Sequence, residues 1–206
     1  MLEDYIFDHL GTESNVLNSL YRYTNLNVLY PGMISGHEQG RLLSMISHMA
    51  KPEQILEIGT YTGYSAICLA EGLSKGGRLH TIEQDDERAE IALSFFEKAG
   101  LTDKIILHVG DALEIIPRLD IVFGLVFIDA AKKQYLDYYH AVFDKVKPGG
   151  YILVDNILWY GKVADPQVQD ETTNKLRNFN DIVRDDARIE RAIIQNRDGL
   201  FILRKK

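Results

Sequence analysis

Phe123-Gly124-Leu125-Val126-Phe127-Ile128-Asp129-Ala130-Ala131-Lys132 is the most hydrophobic run of the chain, and it stops abruptly at an acid. Residues 123 to 128 carry no polar side chain, so the segment has no face to offer to water. It reads as a strand buried on both sides, in the middle of a parallel sheet. A parallel sheet needs crossover helices between its strands, and the flanking sequence alternates accordingly.

Upstream, Gln54 to Ile58 is a second short buried strand that ends at Gly59. Residues 63 to 73 read as a helix with Tyr64, Ile67, Cys68 and Leu69 on one stripe. Arg78 to Ile82 is the next strand, and Asp85 to Lys98 a helix with acids in its first turn and Gly100 beyond its end. Lys104 to Val109 is a third strand, and Ala112 to Pro117 a short helix. Downstream, a helix spans about Lys133 to Lys145. Pro148-Gly149-Gly150 then turns into the strand Tyr151 to Val154. A loop covers about 156 to 170, and a helix runs from about Glu171 to Asp185. The strands Ile189 to Gln195 and Leu200 to Arg204 enclose Asp198-Gly199, a hairpin signal. The pattern predicts a Rossmann-like, doubly wound α/β sheet, mostly parallel, with an antiparallel edge. The first ~50 residues look helical and stand outside the alternation. They are expected to form a cap or a dimer surface.

A length of 206 residues suits one domain, 1–206, with 1–50 as the cap and 51–206 as the core. The net charge of −7 argues against a general nucleic-acid binder. Cys68 is the only cysteine, which excludes an intrachain disulfide and a cysteine-built zinc site. The start, Met1-Leu2-Glu3-Asp4, lacks the basic, apolar character of a leader. No window approaches the ~20 apolar residues that span a bilayer. A cytoplasmic protein without a membrane partner is expected.

In open α/β sheets, ligands bind at the carboxyl ends of the strands. Glu57-Ile58-Gly59-Thr60-Tyr61-Thr62-Gly63-Tyr64-Ser65 is a glycine-bearing turn at such an end, but its Gly-x-x-x-Gly spacing is not the dinucleotide fingerprint. Glu83 ends the next strand, well placed for both hydroxyls of a ribose. Gly110-Asp111-Ala112 follows the third strand, where an adenine ring could lie; Asp111 also reads as a helix N-cap. Glu57 sits in an apolar strand and, as a buried carboxylate, needs a partner such as a ligand's amino group. A nucleoside carrying an amino acid, such as S-adenosylmethionine, fits these acids better than a phosphate ligand.

Two neighbouring strands also end in oxygen donors, Asp129 on one and Asp155-Asn156 on the other. They should converge into a hard oxygen site for Mg²⁺, or for Mn²⁺ or Ca²⁺. The alternative is that each acid caps a helix. Lys132 follows within one turn of Asp129, where a partly dry pocket could lower its pKa and make it a base. Tyr135, Trp159 and Tyr160 are candidates to stack on an aromatic acceptor.

Taken together, these motifs resemble the metal-dependent small-molecule O-methyltransferases, the family of catechol and caffeoyl-CoA O-methyltransferases. The resemblance runs from about Met33 to the C-terminus. It rests on residues 56–65, Gly110-Asp111-Ala112, residues 127–132, Val154-Asp155-Asn156-Ile157-Leu158-Trp159 and Asp198-Gly199-Leu200, in that order. It implies a seven-stranded sheet with a reversed last strand, and commonly a homodimer. It implies that Met33, Glu57, Gly59, Tyr61, Ser65, Glu83, Gly110, Asp111, Ala112 and Asp129 meet S-adenosylmethionine. It makes Asp129, Asp155 and Asn156 the metal ligands and Lys132, with Asp129, the catalytic pair. The chain departs from many relatives in having Ala131 and Gly124 where they carry acids. The activity implied is methyl transfer to a hydroxyl of a small catechol-like or phenolic acceptor. A phenolic hydroxyl ionises near pH ~10, so it needs help to become a nucleophile. Methylation of a hydroxylated uridine in tRNA and a non-catalytic nucleoside-binding role remain as rival readings.

Overall fold

The computed structural model describes residues 2–206. Met1, the first residue of the stretch read for a leader, lies outside them. Three N-terminal helices come first: α1 (Leu2–His9), α2 (Asn15–Asn27) and α3 (Gly36–Ala50). A 3-10 turn, Pro31–Met33, separates the last two. The alternating part follows as β1 (Gln54–Ile58), α4 (Tyr64–Ala70), β2 (Arg78–Glu83), α5 (Asp86–Lys98), β3 (Ile105–Val109), α6 (Ala112–Ile115) and β4 (Phe123–Ile128). It continues with α7 (Tyr135–Phe143), β5 (Val146–Val154), α8 (Glu171–Asp185), β6 (Ile189–Ile194) and β7 (Leu200–Lys205). The seven strands form one sheet in the order β3-β2-β1-β4-β5-β7-β6. The first five are parallel, and β7 runs against both β5 and β6.

β4 lies in the centre, and all six of its residues are buried. Its side chains alternate between faces. Phe123, Val126 and Ile128 pack with α7 and α8 through Tyr139, Val142, Phe179 and Val183. Leu125 and Phe127 pack on the other side with α3, α4 and α5, through Leu43, Ile67 and Phe96. Burying each of these large apolar side chains stabilises the fold by about 1.5–3 kcal/mol relative to exposure. Leu17 and Leu20 of α2 join the second cluster, so the N-terminal helices share its core.

Three expectations need correction. The helix read from 133 to 145 is shorter: Lys132–Gln134 is a 3-10 turn, and the α-helix occupies Tyr135–Phe143. The helix read from 63 to 73 ends at Ala70, because Gly72 lies against the backbone of Ser47 and His48 in α3. Pro148-Gly149-Gly150 does not precede its strand but lies inside β5. Val146 already pairs with Phe123, and after a register shift Tyr151 pairs with Leu125. The glycines permit that bulge, since a Cβ on Gly150 would lie 2.9 Å from the Lys147 carbonyl oxygen.

On β2 and β3, His80 and His108 meet diagonally across a parallel pair, Nδ1 to Nε2 at 3.0 Å, with stacked rings. Burial, then the positive charge of a protonated His108, pushes the His80 pKa down to about 4. The folded protein thus refuses a proton that the unfolded chain accepts below about pH 6.5. Stability is therefore expected to fall as pH drops from 6.5 towards 4, by on the order of 3 kcal/mol in total for this group. Melting temperatures across that range should show the slope, and His80→Phe should flatten it. An unchanged slope in the variant would remove the pair as its cause.

Candidate functional site

The parallel register brings three strand ends to one edge. Ile58 stands beside both Ile82 and Ile128, and Ile128 beside Val154. Backbone hydrogen bonds carry the alignment one residue further: Gly59 N–H to Ile82 O (3.0 Å), Asp129 N–H to Ile58 O (2.9 Å) and Asp155 N–H to Ile128 O (3.0 Å). Gly59, Asp129 and Asp155 therefore leave the sheet side by side. Each strand stops there because the next residue is polar or a glycine with positive φ.

Two adjoining cavities open over this edge. The smaller, about 540 Å³, is lined by Met33, Gly59, Tyr61, Glu83, Gly110, Asp111, Ala112 and Asp129, among others. The larger, about 1010 Å³, shares Met33, Gly59, Tyr61 and Asp129, and adds Ser65, Lys132, Asp155, Asn156, Trp159, Tyr160 and Arg197. All but two of the site residues read from the sequence thus line one space or the other; Glu57 and Tyr135 do not.

In the smaller lobe, the Glu83 carboxylate accepts backbone N–H bonds from Tyr61 (2.7 Å), Gln84 (3.1 Å) and Asp85 (3.1 Å). The left-handed conformation of Tyr61 (φ 51) turns its N–H that way. Asp111 caps α6 by accepting from Leu113 N–H at 2.8 Å while also lining the lobe.

Glu57 lies beneath the floor with no exposed surface. Thr81 Oγ1 donates to it at 2.5 Å, Ser65 also bonds to it, and Oε1 has no partner. Burial pushes its pKa up to about 8, so the carboxyl is largely protonated at neutral pH. Thr81 and Ser65 are the partners of this carboxyl within the protein, and its Oε1 is left over.

In the larger lobe, Lys132 Nζ donates to Asp129 Oδ1 at 2.7 Å. The lowered pKa expected of this lysine is not found. Burial acts against its charge, but the Asp129 carboxylate and the Tyr135 hydroxyl outweigh it, and the pKa rises. Held on Asp129, Nζ is placed as a hydrogen-bond donor. Tyr135 is also corrected as an acceptor platform: its ring is buried edge-on against Phe179, and its hydroxyl donates to the Asp155 carbonyl oxygen at 3.0 Å. Trp159 and Tyr160 do form a cavity wall. Both have left-handed backbones (φ 49 and 56), as does Asn156 (φ 54). Such residues cost about 1–3 kcal/mol each and persist where the surroundings hold them. Here the β6–β7 turn does so, with Leu158 N–H on Asp198 O (3.0 Å) and Tyr160 N–H on Asp198 Oδ1 (2.5 Å).

Burial and the charge of Asp129 both raise the Asp155 pKa, so the two carboxylates lie close enough to repel. With the Asn156 amide in the same lining, they form a hard oxygen donor set that suits a divalent cation. No group of three or more His, Cys, Asp or Glu side chains that could by itself hold a metal ion occurs among the described residues. A cation held here would complete its shell with the amide, waters or ligand oxygens.

Sequence reading missed Gln39 and Arg197. Gln39 Nε2 donates to Asp155 Oδ2 at 2.8 Å, and Arg197 Nη1 donates to Gln39 Oε1 at 2.9 Å.

The family model for O-methyltransferases matches residues 8–206. The chain is 32% identical to a catechol O-methyltransferase from Niastella koreensis, over 94% of this chain and 89% of the relative. It is 35% identical to a caffeoyl-CoA O-methyltransferase from Populus kitakamiensis, over 84% of this chain and 79% of the relative. Among solved structures it resembles the O-methyltransferase TomG from Streptomyces achromogenes, involved in tomaymycin synthesis and solved in complex with S-adenosylmethionine. The TM-score is 0.93 at 31% identity, with 100% of this chain and 96% of that one covered.

Proposed function

Because the chain belongs to the O-methyltransferase family, we propose that it transfers the methyl group of S-adenosylmethionine to a hydroxyl of a small catechol-like acceptor, assisted by a divalent cation. The observation that carries this reading is the pair of lobes meeting at Gly59 and Asp129, one with Glu83, the other with the acids and Lys132.

S-adenosylmethionine supplies an electrophilic methyl on sulfur, so the protein's work is to position the acceptor and favour its ionised form. Glu83, fixed by three backbone donors, accepts the ribose hydroxyls. Asp111 and Ala112 would border the adenine, Met33 would cover the cofactor from the N-terminal segment, and Ser65 would meet its amino-acid end, as their places in the cavity linings support. Asp129, Asp155 and Asn156 would hold the cation, Mg²⁺ before Mn²⁺ or Ca²⁺, which would supply Lewis-acid assistance to ionisation of the acceptor hydroxyl. The hydroxyl proton leaves to solvent as the acceptor ionises, and the Lys132 ammonium, which lines the same lobe, donates to the resulting oxyanion. Trp159 and Tyr160 wall the acceptor.

The test is transfer from labelled S-adenosylmethionine to catechols, caffeoyl esters and hydroxyuridine-containing tRNA, with Mg²⁺ and with chelator. Labelling of a catechol with Mg²⁺ and none with chelator is the expected result. Full activity in chelator would remove the cation, and labelling of tRNA alone would replace the acceptor class. Cofactor binding without labelling of any acceptor would favour a binding role.

A further inference from the structure

Gln39 is almost fully buried, at 2% exposure, in α3, a helix that lies outside the alternating part of the chain. Its amide spans the gap between Arg197 and Asp155. An arginine has donors only, so the oxygen of the amide must face Arg197 and the nitrogen must face the carboxylate. The reversed amide would set oxygen against oxygen at Asp155. Arg197 Nη1 is itself fixed, because it also donates to the carbonyl oxygens of Ser35 (2.5 Å) and Ile34 (3.2 Å). No carboxylate of the described residues pairs with Arg197.

We propose that Gln39 is a positioning residue for Asp155, with Arg197 of the β6–β7 turn fixing which end of the Gln39 amide the carboxylate meets. The proposal rests on the reading of Asp155 as a metal ligand. With Oδ2 tied to Gln39 Nε2, the direction of the other oxygen is set, and the carboxylate cannot swing towards Lys132 or away from Asp129. Groups that orient metal ligands in this way typically change metal affinity by 10–100-fold when removed. The same contacts tie the start of α3, and through it Met33 in the cofactor lobe, to the turn that seats the acceptor wall.

The test is Mn²⁺ titration by calorimetry of the full chain, with S-adenosylhomocysteine binding and melting temperature measured in parallel. Gln39→Met keeps length and removes both polar ends. It is expected to weaken Mn²⁺ binding by about 10–100-fold while S-adenosylhomocysteine affinity stays within about 3-fold of the parent. Arg197→Met frees the amide to turn over and should weaken Mn²⁺ binding in the same direction. Arg197→Lys, which restores a donor, should recover it; a merely structural role would predict no such recovery. Arg197 is exposed, so its variants remain informative if Gln39→Met fails to fold. Parent-level Mn²⁺ affinity in the folded Gln39 and Arg197 variants overturns the positioning role and leaves the metal site standing. A parent protein that binds no Mn²⁺ overturns the metal reading and the proposal with it.

Discussion

Gly59→Ala is expected to abolish measurable S-adenosylhomocysteine binding and to lower the melting temperature by about 10 °C. Gly59 has φ +100, a conformation that side chains avoid. An added methyl would overlap the Asp129 carbonyl oxygen, lie 2.8 Å from the carbonyl carbon, and press on Ala130 Cα at 3.3 Å. All three atoms are backbone at the end of β4, so no side-chain rotation relieves the clash. Either β1 or β4 must move, which strains the bonds from Gly59 N–H to Ile82 O and from Asp129 N–H to Ile58 O. Strained backbone and overpacking together cost about 3–5 kcal/mol, equivalent to roughly 10 °C in a chain of this size. Both lobes share this turn, so cofactor binding should fail at temperatures where the fold survives. Gly76→Ala is the control: its φ is +80, but nothing lies within 4 Å of the added atom. It should cost about 1 kcal/mol and leave binding unchanged. Calorimetry and thermal melting decide, and parent-like values for Gly59→Ala would show that the two strand ends do not meet as described.

Lys132→Ala should reduce turnover by about 10²–10³-fold, the usual cost of one donor to a developing oxyanion. Its ammonium is the group the larger lobe offers on the Asp129 side, at 2.7 Å from that carboxylate. Cofactor affinity should change little, because Lys132 does not line the smaller lobe that holds Glu83 and Asp111 and is not among the residues assigned to the cofactor. Cation affinity should hold or rise, since the variant removes a competing positive charge from Asp129. That combination separates a charge acting on the acceptor from a general loss of the site. Equal turnover in the variant would end the role assigned to Lys132.

Much of this arrangement is legible in the chain because it is local. A strand buried on both faces announces itself as an apolar run, and the polar residue ending it marks the ligand edge, as with Asp129, Glu83 and Asp155. Helix α8 carries its own N-cap, Asp170, and its bounds are those read from the sequence. Local signals misled where a distant partner decides. Pro148-Gly149-Gly150 has the composition of a turn, but pairing of Val146 with Phe123 keeps it within the sheet. Tyr135 is an aromatic residue beside a lysine of the site, yet the 3-10 turn at Lys132–Gln134 directs its ring inward to Phe179. Glu57 is visibly a buried acid, but the hydroxyls that meet it come from Thr81 and Ser65, on other elements. Gln39 and Arg197 lie 158 residues apart, and no spacing in the chain joins them.

The seating of Leu158 and Tyr160 on Asp198 has a consequence for how such a protein can change. The wall of the larger lobe hangs from a reversed hairpin at the far side of the sheet, whereas the smaller lobe is built mainly from the first strands and their turns. Substitutions in residues 157–161 and 195–199 can therefore reshape the larger lobe while the smaller one, which none of them lines, keeps its dimensions. The two halves are free to diversify at different speeds. Gly199 marks the point where that freedom stops, because a Cβ there would lie 2.5 Å from Leu158 Cγ and unseat the wall itself.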